Sequence, residues 1–123
     1  MTARLIAATF VLAELFIAPV AIRAHAFLDH ADPAVGSTVP GPPKVIHLWF
    51  TQELEPAFSW VTVTDHSGGS ENDGPAAIDP KNKSEFDVKL KPLSAGTYTV
   101  KWHALSVDTH TTEGDFTFQV KRR

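Results

Sequence analysis

Residues 97–110 have the sequence Thr-Tyr-Thr-Val-Lys-Trp-His-Ala-Leu-Ser-Val-Asp-Thr-His. The first eight positions, Thr97–Ala104, alternate between polar and apolar, which predicts a strand with one face against a core. Asp108 and His110 follow this strand, two positions apart. In an extended backbone both side chains leave the same face, so a carboxylate oxygen and an imidazole nitrogen could share one metal ion. The triplet alone is common by chance, and a polar turn with a solvated Asp and His is the competing interpretation.

The remainder of the chain has the same strand character. Short apolar runs are separated by prolines and glycines, and stretches of helical period are absent. Val45–Phe50 is predicted to be a buried strand because its apolar run is interrupted only by His47. Further strands are predicted at Phe27–Leu28, Trp60–Asp65, Glu85–Leu90, Thr97–Ala104 and Asp115–Lys121. We therefore expect an all-β fold, a small immunoglobulin-like or Greek-key β-sandwich of about seven strands.

Most of the large aromatic residues fall at strand period, so we expect them in the core rather than in a ligand-binding surface. They are Trp49, Phe50, Phe58, Trp60, Trp102, Phe116 and Phe118.

The first 24 residues have the layout of a secretory signal peptide. Arg4 precedes an apolar run from Leu5 to Val20, and small residues surround Ala24. Glu14 and Arg23 are unusual there, and a transmembrane anchor is the alternative. Export and cleavage are favoured because the run is short of the roughly 20 apolar residues that a spanning helix needs, and because a charge near its centre is costly.

Cleavage after Ala24 would leave His25 as the first residue, whereas cleavage after Ala26 would remove it. A histidine at position one offers its α-amine and the nearer ring nitrogen as a chelate for one metal ion. Together with Asp108 and His110 it would supply three nitrogens and one oxygen, a donor set that suits Cu(II). The sequence therefore predicts a metal site of His25, Asp108 and His110, in a domain spanning residues 25–123.

Composition limits the other possibilities. Without its first 24 residues the 123-residue chain keeps 99, enough for one domain. That part has nine basic and thirteen acidic residues, a net charge of −4 with neutral histidines, which argues against nucleic-acid binding. The chain has no cysteine, and its single methionine is Met1. Disulfides and thiolate sites are excluded, and no soft ligand for Cu(I) is left, so one Cu(II) per chain is expected.

Four other histidines are not assigned as ligands. His66 falls in a predicted turn and His103 on the face opposite Trp102, so both are expected to be solvated. An accessory metal contact from His30 or His47 stays open.

The chain resembles the CopC family of periplasmic copper-resistance proteins over nearly all of its mature length. The most specific part of the resemblance runs from Leu93 to His110 and continues with Gly114 and Phe118. Further matching segments are His25-Ala-Phe-Leu, Asp32-Pro-Ala with Gly36, Leu48-Trp-Phe-Thr and Glu55-Pro-Ala-Phe-Ser59.

The resemblance implies a β-sandwich that binds Cu(II) through the amine and imidazole of His25 with Asp108 and His110. It also implies a carrier or buffer of periplasmic copper, often beside an inner-membrane partner of the CopD type. Some members hold Cu(I) in a methionine-rich loop, but residues 64–82 contain no methionine here. Many members have Glu where this chain has Gln52, and neighbouring Glu53 is a candidate substitute.

Two other functions are considered. A metal-free immunoglobulin-like interaction module would keep the strands without needing a free His25. A copper oxidase with a histidine brace is disfavoured, since such enzymes are much larger and Asp108 would fill the position needed by oxygen. We therefore expect a non-enzymatic, monomeric periplasmic protein that does not stay inserted in the membrane after processing.

Overall fold

The computed structural model describes Ala13 and residues 26–122, and these contain strands and one short 3-10 helix, Pro56–Phe58. The strands are β1 (Leu28–Asp32), β2 (Thr38–Val39), β3 (Val45–Phe50), β4 (Trp60–Thr64), β5 (Ala77–Asp79), β6 (Asn82–Lys89), β7 (Gly96–Leu105) and β8 (Thr111–Val120). The all-β prediction is confirmed. Within the same residues, no helix has the length and apolar character to span a bilayer. The predicted signal peptide lies outside the described residues except for Ala13.

The strands form two four-stranded sheets. The first has the order β1-β3-β6-β5 and the second the order β2-β8-β7-β4. All neighbours are antiparallel except β2, which runs parallel to β8. The β7–β8 hairpin is the longest pairing, with a register from Gly96 opposite Val120 to Leu105 opposite Thr111. The result is the β-sandwich that the sequence predicted.

The core lies between the sheets because each long strand presents alternate side chains to it. In β7 the inward residues are Tyr98, Val100, Trp102 and Ala104, the four that the sequence placed on one face. Phe86 of β6 and Phe118 of β8 are almost fully buried. Burying a side chain of that size stabilises a fold by about 1.5–3 kcal/mol, so the core supplies the stability that disulfides do not.

The strand prediction was incomplete at the sheet edges. Residues 26–122 form eight strands rather than about seven, because the two- and three-residue strands β2 and β5 were not predicted. Strands this short carry too few residues to show an alternating pattern. The opening strand also runs from Leu28 to Asp32 rather than ending at Leu28.

Three of the seven aromatic assignments to the core were wrong. Trp60 and Phe58 are 49% and 68% exposed, and Trp49 lies half-buried on the outer face of the first sheet. Val45–Phe50 is likewise only half a buried strand, since Ile46, Leu48 and Phe50 face the core while the alternate residues do not. A continuous apolar run does not show which face is inward, and here neighbouring rings cover the outward one.

Candidate metal centre

The loop at residues 106–110 joins β7 to β8 at one end of the sandwich. The Ser106 amide donates to the His110 carbonyl at 2.9 Å, and the Thr109 amide donates to the Ser106 carbonyl at 2.9 Å. Thr109 has a φ of 73°, the left-handed conformation that reverses the chain here. These bonds hold Asp108 and His110 on a short, closed turn rather than on the extended backbone assumed from the sequence.

Ser106 organises this turn from inside, and its side chain is fully buried. Its hydroxyl oxygen lies within hydrogen-bonding distance of the Asp108 carboxylate, of the His110 carbonyl at 3.1 Å and of the His110 amide at 3.3 Å. A hydroxyl has one proton to donate. Because the His110 carbonyl already accepts from the Ser106 amide, we assign the hydroxyl proton to Asp108 and the accepting role to the bond from the His110 amide.

Asp108 and His110 are brought together by this turn. Oδ1 of Asp108 lies 3.4 Å from Nδ1 of His110, and the two side chains are 42% and 37% exposed. The hydrogen bond from Ser106, with a smaller contribution from His110, lowers the pKa of the Asp108 carboxyl below its ordinary value. The carboxylate is therefore ionised at neutral pH, next to an imidazole nitrogen. This pair fits a divalent ion that prefers nitrogen and oxygen ligands.

The start of the described chain is anchored beside this loop. Ala26 is fully buried, and its carbonyl accepts a 2.5 Å hydrogen bond from the hydroxyl of Thr112, two residues after His110. Phe27 is held by Thr51, whose hydroxyl accepts from the Phe27 amide at 3.0 Å and whose amide donates to the Phe27 carbonyl at 2.9 Å. His25, the third predicted ligand, lies outside the described residues.

The segment after β3 also contacts the loop at residues 106–110 through its backbone. Leu54 forms an isolated bridge with Ser106, and the Val107 amide donates to the Glu53 carbonyl at 3.1 Å. Gln52 is half-buried and Glu53 is exposed. The backbone that carries both residues is therefore adjacent to the loop.

The remaining histidines lie elsewhere. His30 and His47 are on the outer face of the first sheet, and His66 is exposed in a turn, as predicted. His103 is more enclosed than expected, since its ring stacks under Trp60 and its Nδ1 lies 2.7 Å from Glu113.

The sequence prediction gave no role to two residues of the site, Ser106 and Thr112. Ser106 stands two positions before Asp108, a spacing that favours a local side-chain turn and could have indicated its contact. Nothing local to Thr112 indicates its bond to Ala26, 86 residues away.

Comparison with known proteins identifies the family. Residues 28–121 match the model of the CopC domain. The chain is 38% identical over 101 residues to Protein YobA of Escherichia coli K12, which covers 81% of this chain and 82% of that protein. It is 33% identical over 124 residues to Copper resistance protein C of Xanthomonas campestris pv. juglandis, which covers 96% and 97%.

Similarity to solved structures supports the same family. CopC from Methylosinus trichosporium OB3b superposes with a TM-score of 0.73 at 32% identity, over 79% of this chain and 94% of that one. PcoC, described as a methionine-rich copper resistance protein from Escherichia coli, superposes with a TM-score of 0.65 at 33% identity, over 80% and 100%. The fold, the sequence match and these relatives together show that the chain is a member of the CopC family of copper resistance proteins.

Proposed function

We propose that this chain is exported to the periplasm, loses residues 1–24, and carries or buffers copper there without acting as an enzyme. It would bind one Cu(II) through the α-amine and imidazole of His25 with Asp108 and His110. Family membership supports a copper-related function, and the composition supports the oxidation state. With no cysteine and no methionine after Met1, the mature chain has no sulfur ligand for Cu(I).

The observation that carries the proposal is the anchoring of Ala26. Its carbonyl is bonded to Thr112, and Thr112 lies two residues from His110 in the chain. His25 is one peptide bond from Ala26, so cleavage after Ala24 would create a free amine next to an anchored residue beside the Asp108–His110 pair. Cleavage after Ala26 would instead remove the chelating residue.

The direct test is to compare two forms of the mature protein, one beginning at His25 and one retaining a single additional residue before it. The additional residue converts the amine into an amide and eliminates the chelate, while all three ligand side chains remain. We expect the longer form to fold normally, to bind Cu(II) much more weakly in a competition titration, and to give an altered electron paramagnetic resonance spectrum. Equal affinities would show that the N-terminus is not a ligand.

Variants of the loop provide a second test. Replacing Asp108 or His110 with Ala should weaken Cu(II) binding by at least the ~10- to 100-fold seen when ligand-supporting residues are removed. Both side chains are partly exposed, so the fold should be retained in circular dichroism. His66→Ala is the matched control, because His66 is exposed in a distant turn and should leave copper affinity unchanged.

Delivery to a partner, such as an inner-membrane protein of the CopD type, would use the same end of the sandwich. Three apolar side chains are exposed around the loop: Phe27 at 55%, Phe58 at 68% and Val107 at 49%. Exposed apolar groups concentrated beside a binding site are typical of a contact surface. They support a transient protein contact through which a monomeric carrier could transfer copper.

A further inference from the structure

We propose that the outer face of the first sheet carries a second, weaker metal site, formed by His47, Glu85 and Asp87, for a divalent first-row transition ion. One ligand atom of each residue lies within 4.8 Å of those of the other two. The set combines one imidazole nitrogen with two carboxylates, a mixture that suits Zn(II) or Cu(II) better than Ca²⁺ or Mg²⁺.

Strand register brings the three side chains together. His47 of β3 is directly opposite Asp87 of β6, and Trp49 is opposite Glu85. Glu85 and Asp87 are two positions apart in one strand, so both point outward on the face that His47 occupies. His47 Nδ1 already lies 2.7 Å from Asp87 Oδ1. The convergence is therefore set by two paired strands of the sheet, which are more rigid than a loop.

Ring stacking fixes the orientation of the imidazole. The His47 ring stacks on Trp49 at a centroid distance of 5.7 Å, and Trp49 stacks in turn on His30 at 4.4 Å with an interplanar angle of 11°. A ring held this way loses little rotational freedom when it binds an ion, which favours binding. Trp49, which the sequence predicted to lie in the core, would therefore orient a metal ligand on the outer face.

The carboxylates around His47 are crowded. Asp79 of β5 contacts Glu85, and burial, together with Asp79 and Asp87, raises the pKa of Glu85. His47 and Asp87 are 36% and 24% exposed, and they line a cleft of about 530 Å³ that also includes Asp79 and Lys89. A bound cation would relieve the repulsion between the carboxylates, whereas the positive charge of Lys89, two residues after Asp87 in β6, limits the affinity.

This cluster is distinct from the centre at Asp108 and His110. Thr51, which holds Phe27 at that centre, is four residues beyond His47, about 13 Å along an extended chain. His47 also faces away from the core, on the outside of the first sheet. The second site can therefore fill independently, whether or not the first holds copper.

The test uses Zn(II) alone as the probe, added to a mature protein that carries Asp108→Ala and His110→Ala and keeps one additional residue before His25. These changes remove both the Asp108–His110 pair and the amine chelate of the first centre. In this background we compare His47→Gln with His66→Gln by calorimetric titration at neutral pH. We expect one Zn(II) to bind to the parent, meaning the protein that lacks only the first centre, and to the same protein with His66→Gln. With His47→Gln, Zn(II) binding should be at least about tenfold weaker. Glu85→Gln and Asp87→Asn should weaken binding in the same way.

Equal Zn(II) affinity for the His47→Gln and His66→Gln proteins would overturn the proposal, as would the absence of binding to the parent. The outcome does not depend on whether Cu(II) binds at the first centre, so failure of one proposal is distinguishable from failure of the other. A second measurement uses the unsubstituted mature protein, so that its result does not depend on whether a variant folds. Zn(II) should shift the ring nitrogen signals of His47 in nuclear magnetic resonance spectra, and unshifted His47 signals at saturating Zn(II) would contradict the site.

Discussion

Ser106 shows how much of the candidate centre depends on one small residue. Its buried hydroxyl donates to the Asp108 carboxylate and accepts from the His110 amide. It therefore favours the ionised form of Asp108 and also holds the backbone of His110 in place. Because the pKa of Asp108 is lowered in the folded state, the unfolded chain takes up a proton first as pH falls. The stabilisation from this group is therefore complete above the ordinary pKa of 3.8 and is lost as pH falls through the lower folded value.

Ser106→Ala should raise the pKa of Asp108 toward its ordinary value, since the main group lowering it is removed. Loss of a buried hydrogen-bonding group should also cost about 1–3 kcal/mol of unfolding free energy. The pKa can be measured by following the Asp108 carboxyl in a nuclear magnetic resonance titration of the metal-free protein.

Ser67→Ala is the matched control for this substitution. Ser67 lowers the pKa of Asp65 through the same kind of hydrogen bond, in the turn after β4. That variant should raise the pKa of Asp65 and leave Asp108 and copper affinity unchanged. If Ser106→Ala left the pKa of Asp108 where it was, the proton assignment in the loop would be wrong.

At the level of elements, the β7–β8 hairpin positions the loop. Ten residues of each strand are paired, and both strands bury aromatic and aliphatic side chains on their inward face. One close contact lies between the two strands. Gly114 is opposite Trp102, and a Cβ at position 114 would lie 2.5 Å from Cζ2 of the indole. Trp102 is 8% exposed and packs edge-on against Phe50, so its ring has little room to move.

Gly114→Ala should therefore destabilise the protein by about 1–3 kcal/mol, the usual cost of overpacking a well-filled site. Urea unfolding measures this directly. Gly41→Ala is the control, because nothing lies within 4 Å of the added methyl and Gly41 has no positive φ. It should be neutral or stabilise the protein by up to about 1 kcal/mol. Equal stability of the two variants would mean that the strands can shift to accommodate the methyl group.

For the whole molecule, the proposed copper centre would connect the two sheets. The N-terminal residues lead into β1 of the first sheet, whereas Asp108 and His110 belong to the β7–β8 connection of the second. The bond between Ala26 and Thr112 is an existing link between these parts. A metal ion at this end would add a second link, present only in the folded state.

Cu(II) should consequently raise the thermal unfolding midpoint of the mature protein. A ligand at 100 times its dissociation constant stabilises the folded state by about 2.7 kcal/mol. Differential scanning calorimetry with and without Cu(II) measures the shift. The shift should be much smaller in His110→Ala and in the form with an additional N-terminal residue, and should persist at full size in His66→Ala. The same shift in all four proteins would place the stabilising copper elsewhere.

The amino-acid sequence by itself determined the fold class and the proximity of two proposed ligands. Alternation in residues 97–104 depends only on the two-residue period of a strand, and it identified the inward face of β7 correctly. Asp108 and His110 are near each other because they are near in the chain. A chain without cysteine has no thiolate to offer a metal ion, whatever fold it adopts.

Tertiary structure decided which face of each apolar run is buried and which distant residues meet. Trp49 and Trp60 have the same local pattern as core residues, but their neighbours in sequence take the inward positions and stacked histidines cover their rings. The bond from Thr112 to Ala26 and the convergence of His47 with Asp87 depend on strand register between separated segments. Register follows from the packing of the whole sandwich, because a shift of one residue would turn every inward side chain outward.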